Sequence, residues 1–423
     1  MHDLRLLRES PGELREGLIR RGAADALPLL ERAMALDAER RTAVREAEEV
    51  KAARNRLSAD VSRRKRAGEP ADDLVSEGRA LGDRSAALEA RVHAVDAELD
   101  EVMLQLPNVT LADVPAGGEE ANRVERAWGE PRSDAVPPHW ETAAALGILD
   151  LERGAKVAGS GFVVFRRDGA RLVRALMSFM LDLHTREHGY EEVWVPALVN
   201  RDSMTGTAQF PKFADEQYAV SDDGLYLIPT AEVPVTNLYR DEILPESELP
   251  RTFAAYSPCF RREAGSHGKD TRGLLRLHQF DKVELVRYCV PEESTAEHSV
   301  ITRHAEEVLR QLELPYRVVL LAAGDTGFAS ARTYDLGVYA PGVAKWLEVS
   351  SSSTFTDFQA RRAGIRYRPA RGGKPRFVHT LNASGVAFPR VIAALLEHHY
   401  RPDGSVHVPA ALRPYLGTAA LGG

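Results

Sequence analysis

A chain of 423 residues is too long for one small core and is expected to form two or three domains. Its 44% hydrophobic and 28% charged residues are ordinary for a globular protein, and the net charge of −7 excludes a general attraction for nucleic acid, so RNA binding would need a local basic surface. The two cysteines, Cys259 and Cys289, have no CxxC spacing and no His/Cys cluster around them, which excludes a zinc site of common pattern and fits a reducing compartment.

The opening MHDLRLLRESPGELREGLIRRG is charged throughout, with neither an apolar signal core nor a membrane-length span, so a cytoplasmic location without membrane contact is expected. After a short first helix, apolar residues recur at Leu36, Ala43, Ala47, Val50, Leu57 and Val61, a 4-3 spacing interrupted by Arg40 and Arg54. A second series runs through Leu74, Leu81, Leu88, Val95, Leu99 and Val102. Between them RRKRAGEPADD, with Gly68 and Pro70, supplies the break for a reversal, so a long antiparallel helical hairpin is predicted over about residues 29–104. Arms of this length reach about 45 to 50 Å at 1.5 Å per residue. Arg54, Arg56, Arg63, Arg64, Lys65 and Arg66 gather positive charge toward the tip. Two readings fit, a coiled-coil spacer and a probe for an extended anionic partner, and the pattern does not separate them.

Residues 107–140, rich in Pro, Gly and acids, read as a linker. From about Gly161 onward, β-branched or aromatic runs such as FVVF and EVWVPALV alternate with helical segments. Strands in the second half follow one another at hairpin distances, which predicts an α+β fold, a mainly antiparallel β-sheet flanked by helices. Neither GxGxxG nor GxxxxGK[ST] occurs at a strand end, which weighs against the two common nucleotide folds.

FRREAGSHGKDTRGLLRLHQFDKVE, residues 260–284, holds six Lys or Arg, four Asp or Glu and three Gly. In an extended strand Arg276, His278, Phe280, Lys282 and Glu284 share one face, with Leu277 and Val283 on the other, and Arg261 and Glu263 alternate likewise upstream. The hairpin so formed suits a nucleoside triphosphate: guanidinium forks for phosphate, a ring for a base, carboxylates for a metal or an ammonium group. The bland alternative, an exposed salt-bridged hairpin, leaves the glycine-punctuated loop and the aromatic among the charges without a reason.

This stretch resembles motif 2 of class II aminoacyl-tRNA synthetases in the form found in bacterial seryl-tRNA synthetases. TREHGYEEVWVPALV resembles motif 1 (about residues 175–199) and HTLNASGVAFPRVIAALLE motif 3 (379–397), with motif 2 at about 252–286. TGTAQFPKF, PTAEVPVTNLYRDEIL, GDTGFASARTYDL and DGSVHVPAALRPYLG resemble further segments of the family, and the helical hairpin resembles its tRNA-binding arm. The resemblance covers essentially the whole chain. It implies an N-terminal tRNA-binding domain over residues 1–106, a linker over 107–140 and a class II catalytic domain over 141–423.

What the resemblance implies for the site is specific. Thr230, Ala231, Glu232, Glu284, Asn382 and Ser384 would hold L-serine. Arg261, Arg262, Glu263, Arg276, Phe280, Glu348, Val349, Ser350, Ser351 and Arg390 would bind ATP, with Phe280 on the adenine. Arg261, Glu263, Arg276 and Arg390 would serve catalysis, and Glu348 and Ser351 would hold Mg²⁺. The six arm cations would meet tRNA(Ser), and possible further acceptors include tRNA(Sec). The loop with His267, Lys269 and Arg272 would meet the acceptor end, and Pro196 would lie at a homodimer interface. The sequence departs from the family pattern at Gly161, Gly337, Ser352, Thr354 and Ala383. These departures leave open an inhibitor-resistant or otherwise specialised enzyme, or a paralogue that activates serine or an analogue for a non-tRNA acceptor. A coiled-coil protein with an inactive synthetase body is opposed by the presence of Arg261, Glu263, Arg276, Glu284, Glu348 and Arg390.

Overall fold

The 4-3 apolar spacing folds as two helices, α1 (Leu27–Ala67) and α2 (Asp72–Gln105). Ion pairs Arg32–Glu98, Arg40–Asp96 and Arg64–Asp73 rise along α1 as they descend along α2, so the pair is antiparallel. The computed structural model describes residues 1–264 and 272–422; His267 and Lys269 lie outside them. One unit comprises His2–Ile19 and Ala23–Pro107; the other comprises Met1, Arg20–Gly22 and the residues from Asn108 onward.

In the helical unit the seam buries Leu30, Leu36, Ala43 and Val50 of α1 and Val95, Leu99 and Val102 of α2. Each fully buried Leu or Val contributes about 2 kcal/mol. Arg40, an interruption in the predicted seam, is accommodated by Asp96 on the facing helix. The break is shorter than expected, because residues 63–67 remain helical. Arg, Lys and Ala are good helix formers, and cations suit a helix C-terminus. Gly68 then ends α1 at φ 72°, donating its N–H to the carbonyls of Arg64 and Lys65. At 41 residues α1 spans about 60 Å, beyond the expected arm length. Arg54, Arg56, Arg63, Lys65 and Arg66 are exposed, whereas half-buried Arg64 pairs with Asp73 at 3.0 Å.

In the other unit an eight-stranded sheet runs β1 (Arg123–Trp128), β5 (Tyr316–Leu320), β6 (Arg332–Ala340), β7 (Lys345–Thr356), β8 (His379–Ala387), β4 (Gln279–Cys289), β3 (Arg251–Phe260) and β2 (Glu191–Glu192), numbered in chain order. All neighbours are antiparallel except β2 and β3. Helices α3 (Asp168–Asp182), α4 (Glu232–Thr236), α5 (Ser294–Gln311), α6 (Phe358–Ala363) and α7 (Phe388–His398) accompany it. Leu176 and Phe179 of α3, Val308 and Leu309 of α5 and Ile392 and Leu396 of α7 close a core against Val318, Leu336 and Val349. The stretch expected to be a bare linker supplies β1, an edge strand with all six residues exposed. Its alternation is masked because neither face is buried.

The expected charged hairpin is also shorter than its sequence pattern. The β3–β4 register runs from Arg251↔Tyr288 to Phe260↔Gln279, so Arg261, Glu263, Arg276 and His278 lie beyond the ladder. Glu263 takes φ 53°, a left-handed conformation that ends the extended run. One bond continues past the end: Arg261 N–H donates to the His278 carbonyl at 2.9 Å.

Candidate active site

Period-2 alternation turns Phe280 and Lys282 of β4 toward a cavity of about 560 Å³. Strand β8 lies alongside, pairing Glu284 with Ser384 and Val286 with Asn382, so the polar side chains of Lys282, Glu284, Asn382 and Ser384 meet on adjacent strands. Across the next ladder Ser353 of β7 faces Asn382.

At one end the cavity is acidic. Asn382 Nδ2 donates both to Glu232 Oε2 and to Glu284 Oε1, each at 2.9 Å, and thereby fixes the spacing of two carboxylates. Lys282 Nζ donates to Ser384 Oγ at 3.2 Å and forms an ion pair with Glu284. Thr230 lies on the wall, its Oγ1 accepting the Glu232 N–H at 3.2 Å. Burial and the neighbouring Glu284 carboxylate push Glu232 up to about 7, against the opposing pull of a Gln359 hydrogen bond and of Lys282 and Arg261.

Two expected serine contacts stand elsewhere. Ala231 is fully buried in an apolar cluster with Phe253 and Tyr288, because it opens α4 with its methyl toward the core. Glu284 is also fully buried, behind Lys282 and Asn382.

The other end is cationic. The Arg261 guanidinium lies 5.1 Å from the Phe280 ring centroid, and Arg276 pairs with Glu263 at 3.2 Å. Arg390 Nη1 donates to the Glu348 carbonyl at 2.7 Å and Nε to the Leu275 carbonyl at 3.2 Å. Val349, Ser350 and Ser351 complete this wall, with Ser350 Oγ donating to the Ser384 carbonyl at 2.5 Å. Arg262 is the exception. Successive residues point oppositely, so it leaves the wall and donates to the Asp215 carbonyl at 3.3 Å. Arg272 is exposed, its guanidinium 4.7 Å from the Trp140 ring centroid.

A divalent cation fits beside Glu348 and Ser351. Asp335 faces Ser351 across the β6–β7 ladder, and its Oδ1 is buried without a hydrogen-bond partner. Burial and the adjacent Glu348 hold Asp335 well above the usual carboxylate range. Two acids and a hydroxyl suit Mg²⁺, which takes its remaining oxygens from phosphate and water. Among the described residues no group of three or more His, Cys, Asp or Glu is placed to hold a metal unaided.

Lys282, Gln359 and Asp335 received no role from the sequence. Lys282 stood within the KVE triplet, and Asp335 within the quoted TYDL segment. Gln359, in FTDFQARR, carried no local signal, since its partner Glu232 is 127 residues away.

The departures from the family pattern lie off the cavity wall. Ser352 and Thr354 point across the sheet to Thr302 Oγ1 (2.8 Å) and Ser294 Oγ (3.2 Å) of α5. Ala383 is buried with Leu285 and Ile301. Gly337 faces the Arg317 stem, and Gly161 sits at φ 81° where a Cβ would come within 2.5 Å of the His278 ring.

Comparison with known proteins bears on this geometry. Residues 217–399 match the tRNA synthetase class II core domain (G, H, P, S and T), and residues 1–110 match the seryl-tRNA synthetase N-terminal domain. The serine–tRNA ligase of Gemmatimonas aurantiaca is 62% identical over 424 residues, covering 100% of both chains. The seryl-tRNA synthetase of Pyrococcus horikoshii complexed with ATP superposes with a TM-score of 0.95 at 38% identity, covering 100% of this chain and 99% of that one. The cytoplasmic serine–tRNA ligase of Naegleria fowleri in complex with AMP gives 0.89 at 28% identity, covering 100% and 98%. Similarity to serine–tRNA ligases thus runs along the full length of the chain, and both family models agree with it: the chain belongs to the seryl-tRNA synthetase family of class II aminoacyl-tRNA synthetases.

Proposed function

We propose that this chain is a serine–tRNA ligase. The observation that carries the reading is the polarity of one cavity: Glu232, Asn382, Ser384 and Lys282 at one end, Arg261, Arg276 and Arg390 at the other. The serine ammonium group is held by the acidic end, through Glu232 and the Glu284 charge behind it. The serine carboxylate then attacks the α-phosphorus of ATP; the bond from that phosphorus to the bridging oxygen breaks, and pyrophosphate leaves. Arg261 neutralises charge growing on the α-phosphate, Arg276 and Arg390 hold the outer phosphates, and Phe280 stacks on the adenine. Glu348 and Ser351, with Asp335 nearby, would hold Mg²⁺, which would supply charge neutralisation on the phosphates. The terminal ribose hydroxyl of tRNA(Ser) next attacks the adenylate carbonyl, forming the ester and releasing AMP. Where a host makes tRNA(Sec), the same proposal extends to it.

Selection of serine follows from hydrogen bonding. Alanine would forgo the hydrogen bond that the substrate hydroxyl makes to the Ser384 hydroxyl and has nothing to replace it. Threonine is rejected by size. Ser352, Thr354 and Ala383 face α5 or the core, and none of the five departures lines the cavity, so they give no support to an altered substrate.

The exposed arm cations Arg54, Arg56, Lys65 and Arg66 support a tRNA-binding role for residues 1–106, with catalysis assigned to 141–423. Recognition through shape and backbone suits a basic helical probe, and the loop that includes Arg272 is assigned to the acceptor end. Homodimerisation through the motif 1 segment is supported by Trp194, 75% exposed beside the short edge strand β2. No helix among the described residues is long and apolar enough to cross a membrane, and the proposed location is the cytoplasm.

Charging of total tRNA with labelled serine, with and without residues 29–104, tests the reading. Charging by the full chain, and its loss with retained serine-dependent ATP–pyrophosphate exchange in the deletion, is the expected result. Exchange without charging by the full chain would point to a non-tRNA acceptor, and absence of exchange would overturn the proposal.

A further inference from the structure

Glu232 is gripped from two sides, and only one of them is the cavity wall. On the far side stands Gln359 of α6, fully buried and absent from the wall. Its Nε2 donates to Glu232 Oε1 at 2.6 Å, while its Oε1 accepts from Thr380 Oγ1 at 2.8 Å. The Thr380 hydroxyl thus sets which end of the amide faces the acid. Asn382 supplies the donor to the other oxygen, so each Glu232 oxygen has one amide N–H directed at it.

We infer that Gln359 is a positioning residue for serine recognition, holding Glu232 in the rotamer and acceptor state that receives the substrate ammonium or hydroxyl. The inference rests on the reading of this cavity as a serine site. A buried carboxylate with another acid 2.9 Å from the same Asn382 nitrogen is poorly suited to ionisation, and a donor fixed behind it opposes that tendency. The charged groups facing Glu232 are Glu284 and Lys282 from β4 and Arg261 from beyond β3. The cations of α6 itself are engaged elsewhere, Arg361 with Asp357 and Arg362 with the carbonyls of Thr205 and Phe210. Gln359 is the α6 side chain that bonds directly to Glu232.

Two variants of the full chain test this in serine-dependent ATP–pyrophosphate exchange between pH 5.5 and 8.5. Gln359→Met keeps the volume and removes the donor. Its expected effect is a rise in KM for serine of about 10-fold or more, as for a lost hydrogen bond to a charged group, with KM for ATP within about twofold. Ionisation of Glu232 makes wild-type kcat/KM for serine rise with pH through neutrality; without the donor this acid limb moves to higher pH. Gln359→Glu keeps the shape and the Thr380 bond but opposes acid to acid, so its defect should shrink as pH falls and a shared proton restores a donor. Serine KM within twofold of wild type in both variants would overturn the inference. So would equal rises in the serine and ATP KM with an unmoved pH profile, which is the signature of packing alone. Wild-type exchange indifferent to serine is a separate outcome that removes the serine reading itself.

Discussion

Replacing Glu397 by Gln should both destabilise the catalytic unit and weaken ATP binding. Glu397 is fully buried on α7. Oε1 accepts the His139 backbone N–H (2.9 Å) and its Nδ1–H (2.7 Å); Oε2 accepts the N–H groups of Gly342 (2.8 Å) and Val343 (3.3 Å). All four partners are donors. An amide flipped either way sets its NH₂ against two of them, and each donor stranded in the interior costs about 1 to 3 kcal/mol. With two donors stranded, the expected loss is about 2 to 6 kcal/mol. With a urea m-value of about 3 kcal/mol/M or more for a unit of this size, the midpoint falls by roughly 1 M. The functional consequence runs through His139, whose Nε2 accepts the Leu274 N–H at 3.0 Å. Leu274, Leu275 and Arg276 line the cavity, so slackening this bond loosens the wall that Arg390 also grips through the Leu275 carbonyl. Urea unfolding followed by tryptophan fluorescence, with Trp140 only 4.9 Å from His139 by ring centroids, reads the first effect, and KM for ATP the second. A midpoint shift below about 0.3 M at constant m, with KM for ATP unchanged, would refute the reasoning.

Three further outcomes are expected. Phe280→Ala removes a ring worth about 1 to 2 kcal/mol to a stacked partner and should raise KM for ATP about tenfold in exchange assays while leaving KM for serine within twofold; the reverse pattern would place the base elsewhere. Joint replacement of Arg54, Arg56, Lys65 and Arg66 by Gln should raise KM for tRNA about 10-fold or more and flatten its salt dependence while sparing exchange, and an unchanged salt slope would take these cations out of the interface. Asp335→Asn should raise the Mg²⁺ concentration needed for half-maximal exchange severalfold at unchanged KM for serine; an unmoved magnesium titration would separate Asp335 from the metal.

Much of this site is legible because strands expose their chemistry at a period of two. Phe280, Lys282 and Glu284 share a face in the sequence and in β4, and Asn382 and Ser384 do so in β8. Alternation also misled. Continued past the ladder, it counted Arg261, Glu263, Arg276 and His278 as strand residues, whereas Glu263 at φ 53° turns the chain out of the sheet. The same alternation, applied to neighbouring Arg261 and Arg262, would have excluded Arg262 from the wall. Asp335 and Gln359 belong to another category. Their partners are brought up by cross-strand pairing and by a helix remote in sequence, and local pattern holds no record of either contact. In α1 the heptad rhythm identified the seam but not the helix end, since a basic run with good helix propensity reads equally well as a loop until Gly68 adopts its left-handed backbone.

The order of charges along the cavity decides which way round an amino acid can lie. At the acidic end Glu232 and Glu284 meet one cation in direct contact, Lys282, with Arg261 acting on Glu232 from farther along the cavity, leaving about one net negative charge locally when both acids are ionised. A charge about 4 Å away, at the effective dielectric of a partly buried site, interacts by about 4 kcal/mol. A serine with its ammonium group at that end gains this attraction, and a reversed serine exchanges it for repulsion of similar size, a gap on the order of 8 kcal/mol. The carboxylate is thereby directed toward Arg261, where the α-phosphate must sit for attack. On this account the two acids matter as much for orienting the nucleophile as for affinity, and losing either should lower kcat together with the apparent affinity for serine. Lys282 limits the cost of holding two carboxylates on one Asn382 nitrogen, which explains why a cation stands within a pocket built to receive one.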